Sequence, residues 1–265
     1  MLKIDRIAVL VQGPVIDTRY GSTHRNLREL VALGFGEIVF STWDGQKLDD
    51  IPEGIIVVVS NDPGSNLIRG GQSNVNRQIV STRAGLEKVT LDHVLRLRSD
   101  TTIQNFPLES CLNFSDKEKI FLTNITTKLP PRVDYFFHYS DWLIFARKSR
   151  MECIFNIELQ NSKSDLCAEQ FIWSSYARSI YPEITDEERL HEAFNNDITL
   201  ISFRKFQLKS IKRAYRRIPF GKNGIRGVLC VELEKKSKFW IGLLRFKEYI
   251  YFLVIFIALR LKNRW

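Results

Sequence analysis

The chain has 265 residues, of which 44% are hydrophobic and 26% are charged, a composition typical of globular proteins. This length fits one large α/β domain with an appendage and is enough to bury a core. The four cysteines form no C-x-x-C pair, which excludes zinc sites of the usual spacing and indicates reduced thiols. The first apolar run, Ile7–Val11, is too short for a signal peptide, so we expect no export.

The charge is divided unevenly along the chain. Residues 203–265 contain 17 Lys and Arg but 3 Asp and Glu, a local charge of +14, whereas the net charge is +9 and the remainder therefore carries −5. We predict a mildly acidic domain over residues 1–202, followed by a basic tail over 203–265 that seeks an anionic surface.

The predicted elements alternate between strands and helices. Apolar and β-branched runs predict strands at Ile7–Val11, Glu37–Trp43, Gly54–Ser60 and Val94–Arg98. A helix capped by Ser22 or Thr23 and a second helix over Ser73–Lys88 show apolar residues at helical spacing. This order predicts an α/β fold with a mostly parallel, Rossmann-type sheet flanked by helices.

Polar residues follow several of these strands. Because parallel sheets bind ligands beyond the carboxyl ends of their strands, we expect a ligand site on that rim. Ordinary polar turns are the alternative. The candidate binding residues there are Gln12, Gly13, Pro14, Thr42, Trp43, Asp62 and Asp100.

The stretch VLRLRSD, Val94–Asp100, is the most informative of these rim sequences. The chain lacks both G-x-G-x-x-G after the first strand and the P-loop motif, so phosphates must be held in another way. Asp100 can hold a divalent cation, Mg²⁺ or Mn²⁺, which would in turn bind phosphate oxygens. Arg96 and Arg98 share one face of the strand and require anionic partners if they are buried. A solvated strand end is the plain alternative.

Seven stretches in order resemble the WavE-type lipopolysaccharide-synthesis family, which is GT-A-like. The resemblance covers roughly residues 6–180 and implies a GT-A fold, a nucleotide-sugar across the strand ends and an acidic motif that holds a metal. The stretches are VQGPV, EIVFSTWDG, VSNDPG, NVNRQIVSTRAGL, VLRLRSD, YSDWLIFA and AEQFIW.

The sequence departs from this family pattern at its acidic motif. Arg98 stands where the first aspartate of a GT-A D-x-D motif would be, which leaves Asp100 as the metal ligand. Two interpretations therefore stay open: a divalent cation at Asp100, or neutralisation of the diphosphate by Arg98 itself.

Two acids are candidates for the catalytic base. Glu169 opens the helical stretch AEQFIWSSYARSI and resembles the acid at a helix start that serves as base in many inverting GT-A enzymes. Asp141 lies in an extended segment beside Trp142, a pairing suited to sugar recognition, and is a base or an acceptor contact. The alternatives are a first-turn acid favoured by the helix dipole and a strand-initial aspartate.

Three further residues are assigned to the donor. Trp43 can stack on the nucleotide base, Asp62 follows the third strand as a ribose or base contact, and Arg77 is the best helical partner for the diphosphate. A core tryptophan and a solvated helix face are the alternatives.

The tail is basic and aromatic, and its last apolar run, Tyr249–Leu259, is too short to span a bilayer. We predict an amphipathic helical tail that lies on an anionic membrane surface, with packing on the domain or a true span as alternatives.

The expected function combines these features. The chain would move a hexose from a nucleotide-sugar, a UDP-sugar, to a lipid-linked lipopolysaccharide, O-antigen or capsule glycan. This would occur at the cytoplasmic face of the bacterial inner membrane. A catalytically inactive lipid-bound scaffold and a nucleic-acid-binding protein are the competing hypotheses; the apolar end of the tail argues against the latter, and we expect no nucleic acid.

Overall fold

The computed structural model describes residues 2–18, 21–68, 71–112, 119–125, 127, 136–161 and 164–210. Within them the strands are β1 (Ile7–Gln12), β2 (Asp17–Thr18), β3 (Gly21–Ser22), β4 (Glu37–Trp43), β5 (Ile56–Ser60), β6 (Asn66–Ile68), β7 (Gly71–Ser73), β8 (His93–Arg98), β9 (Thr101–Thr102), β10 (Ile120–Thr123), β11 (Leu143–Arg147), β12 (Ile198–Ile201) and β13 (Lys209–Ser210). The helices are α1 (Thr23–Ala32), α2 (Val75–Leu86), α3 (Leu108–Leu112), α4 (Lys148–Phe155), α5 (Ala168–Ile180) and α6 (Glu187–Asn195), and a 3₁₀ turn spans Ile4–Arg6.

Seven of these strands form one central sheet in the order β12-β10-β11-β8-β1-β4-β5. All neighbouring pairs are parallel except those of β11, which runs antiparallel to both β8 and β10. The prediction of a GT-A-like, mostly parallel α/β sheet is confirmed by this architecture. The four strands predicted from the sequence agree with β1, β4, β5 and β8 to within two residues at each end.

Strand β1 lies at the centre of the sheet because its side chains are apolar on both faces. Ile7, Val9 and Val11 pack with α1 on one face, whereas Ala8 and Leu10 pack with α2, α4 and α5 on the other. All five side chains are fully buried. A continuous apolar run is the pattern of a strand covered on both sides, so the sheet is sandwiched between helices.

Helix α2 packs closely against β1 and β4 at Gly85. A Cβ atom at this position would collide with Leu10 Cδ1 and lie 2.9 Å from Ser41 Cβ. Polar residues of the same helix also face inward: Ser81 is fully buried, and its carbonyl accepts a 2.6 Å hydrogen bond from Ser41 Oγ. The side of α2 that bears Ser81 therefore contacts the sheet, although its residues are polar.

Gly85→Ala is expected to destabilise the protein by about 1–3 kcal/mol, since an overpacked core outweighs the gain in helix propensity. Urea denaturation would measure the free energy of unfolding. Val31→Ala is the control, because Val31 is exposed on α1 and should change that free energy by at most about 0.5 kcal/mol. An unchanged or higher stability of Gly85→Ala would contradict this packing.

The chain continues to pack on the sheet beyond residue 202. Phe203, Phe206 and Leu208 are buried in the same core as α1, and β13 pairs antiparallel with β9. The first eight residues of the predicted tail therefore contact the domain. Residues 211–265, with the predicted amphipathic helix, lie outside the described residues, and the boundary at 202 stays a prediction.

No helix in the described part of the chain is both long enough and apolar enough to cross a bilayer.

Candidate active site

The candidate site lies on the rim formed by the carboxyl ends of β1, β4 and β8. Because β11 runs in the opposite direction, its amino end reaches the same rim, and Arg98 N donates to Trp142 O at 3.3 Å. Asp141, directly before this strand, is thereby brought to the end of β8. Two sequence segments more than 40 residues apart meet at this point.

Arg98 lies between two buried carboxylates. Its Nε and Nη2 atoms donate to both oxygens of Asp100 at 3.0 and 2.8 Å, and its Nη1 approaches the oxygens of Asp141 at 3.4 and 3.5 Å. The side chains of Arg98, Asp100 and Asp141 are 17%, 4% and 2% exposed. The guanidinium also lies 5.4 Å from the ring centroid of Trp142. Arg98 is thus the most accessible charge of the trio and is held mainly by Asp100.

Asp141 is bound from the other side by a buried polar chain. Gln78 Nε2 donates to Asp141 Oδ2 at 2.9 Å, and Gln78 Oε1 accepts from Arg96 Nη2 at 3.0 Å. Arg96 also donates to Gln12 Oε1 at 2.6 Å and to the carbonyl of Asp141. Since an arginine can only donate, the Gln78 amide is oriented with its nitrogen toward Asp141.

Arg96 is fully buried in this network. Burial lowers the pKa of Arg96 to about 10, against the opposing effect of the Asp141 charge, so it remains protonated at neutral pH. A buried cation is tolerated where it is paired and hydrogen-bonded. Nη1 and Nη2 of Arg96 have acceptors, whereas its Nε has none among the described residues. The predicted shared face of Arg96 and Arg98 is confirmed, because both side chains contact Asp141.

Glu169 lies in the first turn of α5, where it interacts electrostatically with Asp141 and Arg98. Burial, with a further contribution from the negative charge of Asp141, raises the pKa of Glu169 to about 7. Arg98 and a hydrogen bond with Cys167 act in the opposite direction. A carboxylate with a pKa near the working pH is suited to proton abstraction.

A second cluster forms at the ends of β4 and β5. Arg77 donates two 2.7 Å hydrogen bonds to the oxygens of Asp62 and lies 5.3 Å from the ring centroid of Trp43. The Arg77 guanidinium lowers the pKa of Asp62. Arg77, which we assigned to the diphosphate, is therefore paired with Asp62, and the three residues form one platform of planar groups.

The turn after β1 is shaped by a close backbone approach. Gly13 has φ of +138°, its amide donates to Ser41 O at 3.1 Å, and a Cβ atom there would collide with Ser99 Oγ. Thr23 Oγ1 is 3.4 Å from the carbonyl of Pro14, which ties the turn to the start of α1. Glycine is required here by both conformation and space.

Thr42 differs from its expected role as a ligand contact. Its side chain is fully buried, and its Oγ1 has no hydrogen-bond partner among the described residues. In this conformation Thr42 is inaccessible to a nucleotide, whereas Asp62 and Arg77 reach the surface of the rim. Trp43 is largely buried beneath Arg77, with 9% of its surface exposed.

The residues around Asp100 do not fit a divalent cation in this arrangement. Both oxygens of Asp100 are engaged by Arg98, and the described residues contain no group of three or more His, Cys, Asp or Glu side chains suited to a metal. Metal sites of this kind require carboxylate oxygens directed at the ion, whereas here a guanidinium lies in that direction. The predicted role of Asp100 as a metal ligand and the observed geometry therefore disagree.

Sequence reasoning missed the connection between Gln78, Arg96 and Asp141. The alternation in LRLR indicated that the arginines share a face, but Gln78 comes from α2 and Asp141 from the reversed strand end. The position of Arg96 in a buried strand indicates that it needs a polar partner. The periodicity of a single sequence does not identify that partner.

Several solved structures resemble the chain over most of its length. The inositol-1-phosphate CTP transferase from T. maritima is 12% identical, with a TM-score of 0.44 over 77% of this chain and 87% of that one. HddC from Yersinia pseudotuberculosis, complexed with GMP-PN, is 11% identical, with a TM-score of 0.39 over 77% and 92%. A Drosophila β1,4-galactosyltransferase 7 mutant, in complex with manganese, UDP-Gal and xylobiose, is 10% identical, with a TM-score of 0.38 over 80% and 72%.

No curated protein sequence matches the chain significantly. The model of the WavE lipopolysaccharide synthesis family, by contrast, matches residues 7–200, which includes all of the central sheet except the last residue of β12 and all the rim residues described above. The chain therefore belongs to the WavE lipopolysaccharide synthesis family.

Proposed function

We propose that the chain is a glycosyltransferase that moves a hexose from a UDP-sugar to a lipid-linked glycan of lipopolysaccharide, O-antigen or capsule. The observation that carries the proposal is the buried set of Asp100, Arg98 and Asp141 at the end of the central strand, with Glu169 beside it. Family membership supports a role in lipopolysaccharide synthesis.

Each part of this set suits one requirement of glycosyl transfer. The leaving nucleoside diphosphate gains negative charge as the glycosidic bond breaks, and a preorganised cation such as Arg98 stabilises that charge. The acceptor hydroxyl must lose its proton as it attacks, and a nearby carboxylate can accept it.

We assign the base role to Glu169 in an inverting transfer and acceptor contact to Asp141. Asp141 is held by Gln78 and Arg98, so its oxygens already have donors. Glu169 has a pKa raised to about 7 and can both take and release a proton near neutral pH. Trp142, adjacent to Asp141, is 2% exposed and packs in the hydrophobic core, so its ring supports Arg98 from beneath and does not face a sugar in this conformation.

The nucleotide end of the donor is assigned to the platform of Trp43, Arg77 and Asp62 and to the turn at Gln12, Gly13 and Pro14. Planar aromatic and guanidinium groups stack on bases, and the carboxylate can accept from ribose or base donors.

The membrane location also belongs to this proposal. Residues 211–265 contain most of the basic and aromatic tail, and such segments bind anionic lipid surfaces. A lipid-linked acceptor and cytosolic nucleotide-sugars would meet at the cytoplasmic face of the inner membrane.

Asp100→Asn is expected to lower turnover by about 100-fold or more, because Arg98 loses its charged partner at the site of transition-state charge. The assay offers a panel of nucleotide-sugars with a lipid-linked glycan extract and measures nucleoside diphosphate release, with and without EDTA. Circular dichroism and thermal unfolding check that the fold is intact. Asp197→Asn is a matched control, since Asp197 also pairs with an arginine, Arg150, through a salt bridge of 3.4 Å that belongs to no part of the proposed site.

Turnover of Asp100→Asn close to that of the unmodified protein would contradict the role of this carboxylate. Absence of diphosphate release by the unmodified protein with every donor would instead favour a catalytically inactive scaffold. Co-sedimentation with anionic liposomes, compared with DNA, separates the lipid-surface and nucleic-acid alternatives.

A further inference from the structure

We propose that Asp100 serves to position the guanidinium of Arg98, and that this guanidinium takes the place of a divalent cation in binding the donor diphosphate. The inference rests on the proposed function and specifies how the anionic part of its substrate is recognised. It follows from the disagreement between the predicted metal site and the geometry around Asp100.

Asp100 holds one edge of the Arg98 guanidinium. The carboxylate accepts from Nε and Nη2, which are the two donors along one edge of the planar guanidinium. Such a two-point bond fixes the plane of the group as well as its position. Asp100 is almost completely buried, so it anchors the more accessible Arg98.

The other edge of the guanidinium, at Nη1, makes longer contacts. Nη1 lies 3.4 and 3.5 Å from the oxygens of Asp141, which is at the limit of hydrogen bonding. A phosphate oxygen between Arg98 and the rim would make a shorter, charge-assisted bond at little cost to these contacts. The ring of Trp142 beneath the guanidinium restricts its movement away from the rim.

The charges around Asp100 determine whether a cation or an anion is accommodated there. Asp100 and Asp141 carry two negative charges, which the two positive charges of Arg96 and Arg98 balance; Glu169 adds a further negative charge when it is deprotonated. A divalent cation at Asp100 would have to displace Arg98 and would meet its positive charge nearby. A diphosphate, by contrast, meets the accessible positive member of the set, Arg98, without any displacement.

Isothermal titration calorimetry with UDP tests the inference without depending on turnover. The unmodified full chain is titrated in buffer with EDTA and in buffer with Mn²⁺, and we expect dissociation constants that agree within about twofold. Arg98→Gln should weaken binding by about 10- to 150-fold in both buffers, the loss typical of a charged hydrogen bond. Arg98→Lys should restore part of this loss, because lysine keeps the charge but lacks the two-point bond.

A double-mutant cycle tests the positioning role of Asp100. If Asp100 acts through Arg98, Asp100→Asn weakens UDP binding in the unmodified background but by less than about twofold when combined with Arg98→Gln. Arg178→Gln is the matched control, because Arg178 is an exposed arginine on α5 that pairs with Glu187. Its affinity for UDP should be unchanged.

The outcomes separate the two proposals. A tenfold or greater loss of UDP affinity in EDTA, restored by Mn²⁺, overturns the inference and leaves the proposed glycosyl transfer intact. Additive effects of Asp100→Asn and Arg98→Gln overturn the positioning role. Failure of UDP, GDP and dTDP to bind with or without Mn²⁺ overturns the proposed function together with the inference.

Discussion

Glu169→Gln is expected to lower turnover by about 10²- to 10⁴-fold, the usual effect of removing a general base. Glutamine keeps the size of the side chain and its place in the first turn of α5, but it cannot accept the proton of an acceptor hydroxyl. The affinity for UDP should change little, because the proposed diphosphate contact is Arg98. A steady-state assay of diphosphate release gives both the turnover number and the Michaelis constant.

The dependence of turnover on pH is a second test of Glu169 as the base. Burial and the charge of Asp141 raise the pKa of Glu169 to about 7, while Arg98 and Cys167 oppose that shift. A base works only when deprotonated, so turnover of the unmodified protein should rise as the pH increases through 7. The residual turnover of Glu169→Gln should lack this rise.

The effect on stability has the opposite sign. A carboxyl group whose pKa is raised in the folded state binds its proton more tightly there than in the unfolded chain, so its contribution falls as the pH rises from about 4.5 to 7. Glutamine carries no such penalty, and Glu169→Gln should be at least as stable as the unmodified protein at pH 8. Loss of activity together with unfolding would contradict the proposed role.

Glu188→Gln is the matched control for Glu169. Glu188 also lies in the first turn of a helix, α6, but it is exposed on the surface. A first-turn acid stabilises its helix through the macrodipole at either position. Equal losses of turnover in the two variants would indicate that Glu169 acts only as a helix-terminal acid.

Arg96→Met is expected to destabilise the protein by about 3–5 kcal/mol, the cost of removing one partner from a buried charged set. Gln12, Gln78 and the Asp141 carbonyl would each lose a donor, and Asp141 would lose the nearby positive charge. Urea denaturation followed by tryptophan fluorescence measures the free energy of unfolding. Turnover of Arg96→Met, measured at urea concentrations where the variant is still folded, would also fall, because the Gln78 amide would no longer be held toward Asp141.

Arg25→Met is the control for this prediction. Arg25 pairs with Glu29 on the exposed side of α1, and such surface pairs contribute at most about 1 kcal/mol. A stability of Arg96→Met close to that of this control would show that Arg96 is not the centre of the buried network.

Periodicity predicted much of the sheet but little of how the site is assembled. Strand β1 is a continuous apolar run before Gln12, β4 contains one, and β8 alternates apolar residues with arginines; their parallel order follows from the helices between them. The position of β11 was not predicted, because β-strand direction is set by long-range pairing rather than by local pattern. For the same reason Asp141 was recognised as a candidate residue, yet its pairing with Arg98 and Gln78 was not.

The individual rim residues illustrate the same limit. Asp62 and Arg77 were each assigned to a ligand, because sequence shows which residues are polar but not which of them bind one another. Thr42 was expected at the surface as a polar residue at a strand end, whereas the α1 side of the sheet buries it. Partner choice among polar side chains requires coordinates, since it depends on distances of a few tenths of an ångström.

The reversed direction of β11 means that Asp141 reaches the rim only when β11 pairs with β8, so this part of the site and the middle of the sheet form together. A chain ending before Asp141 would contain both arginines of the VLRLRSD stretch but would lack the carboxylate, the glutamine contact and the strand that separates β8 from β10. Contacts spanning more than 40 residues also form late relative to local ones, owing to the entropy of closing so long a loop. Partly synthesised molecules would consequently lack the combined set of Arg98, Asp100 and Asp141.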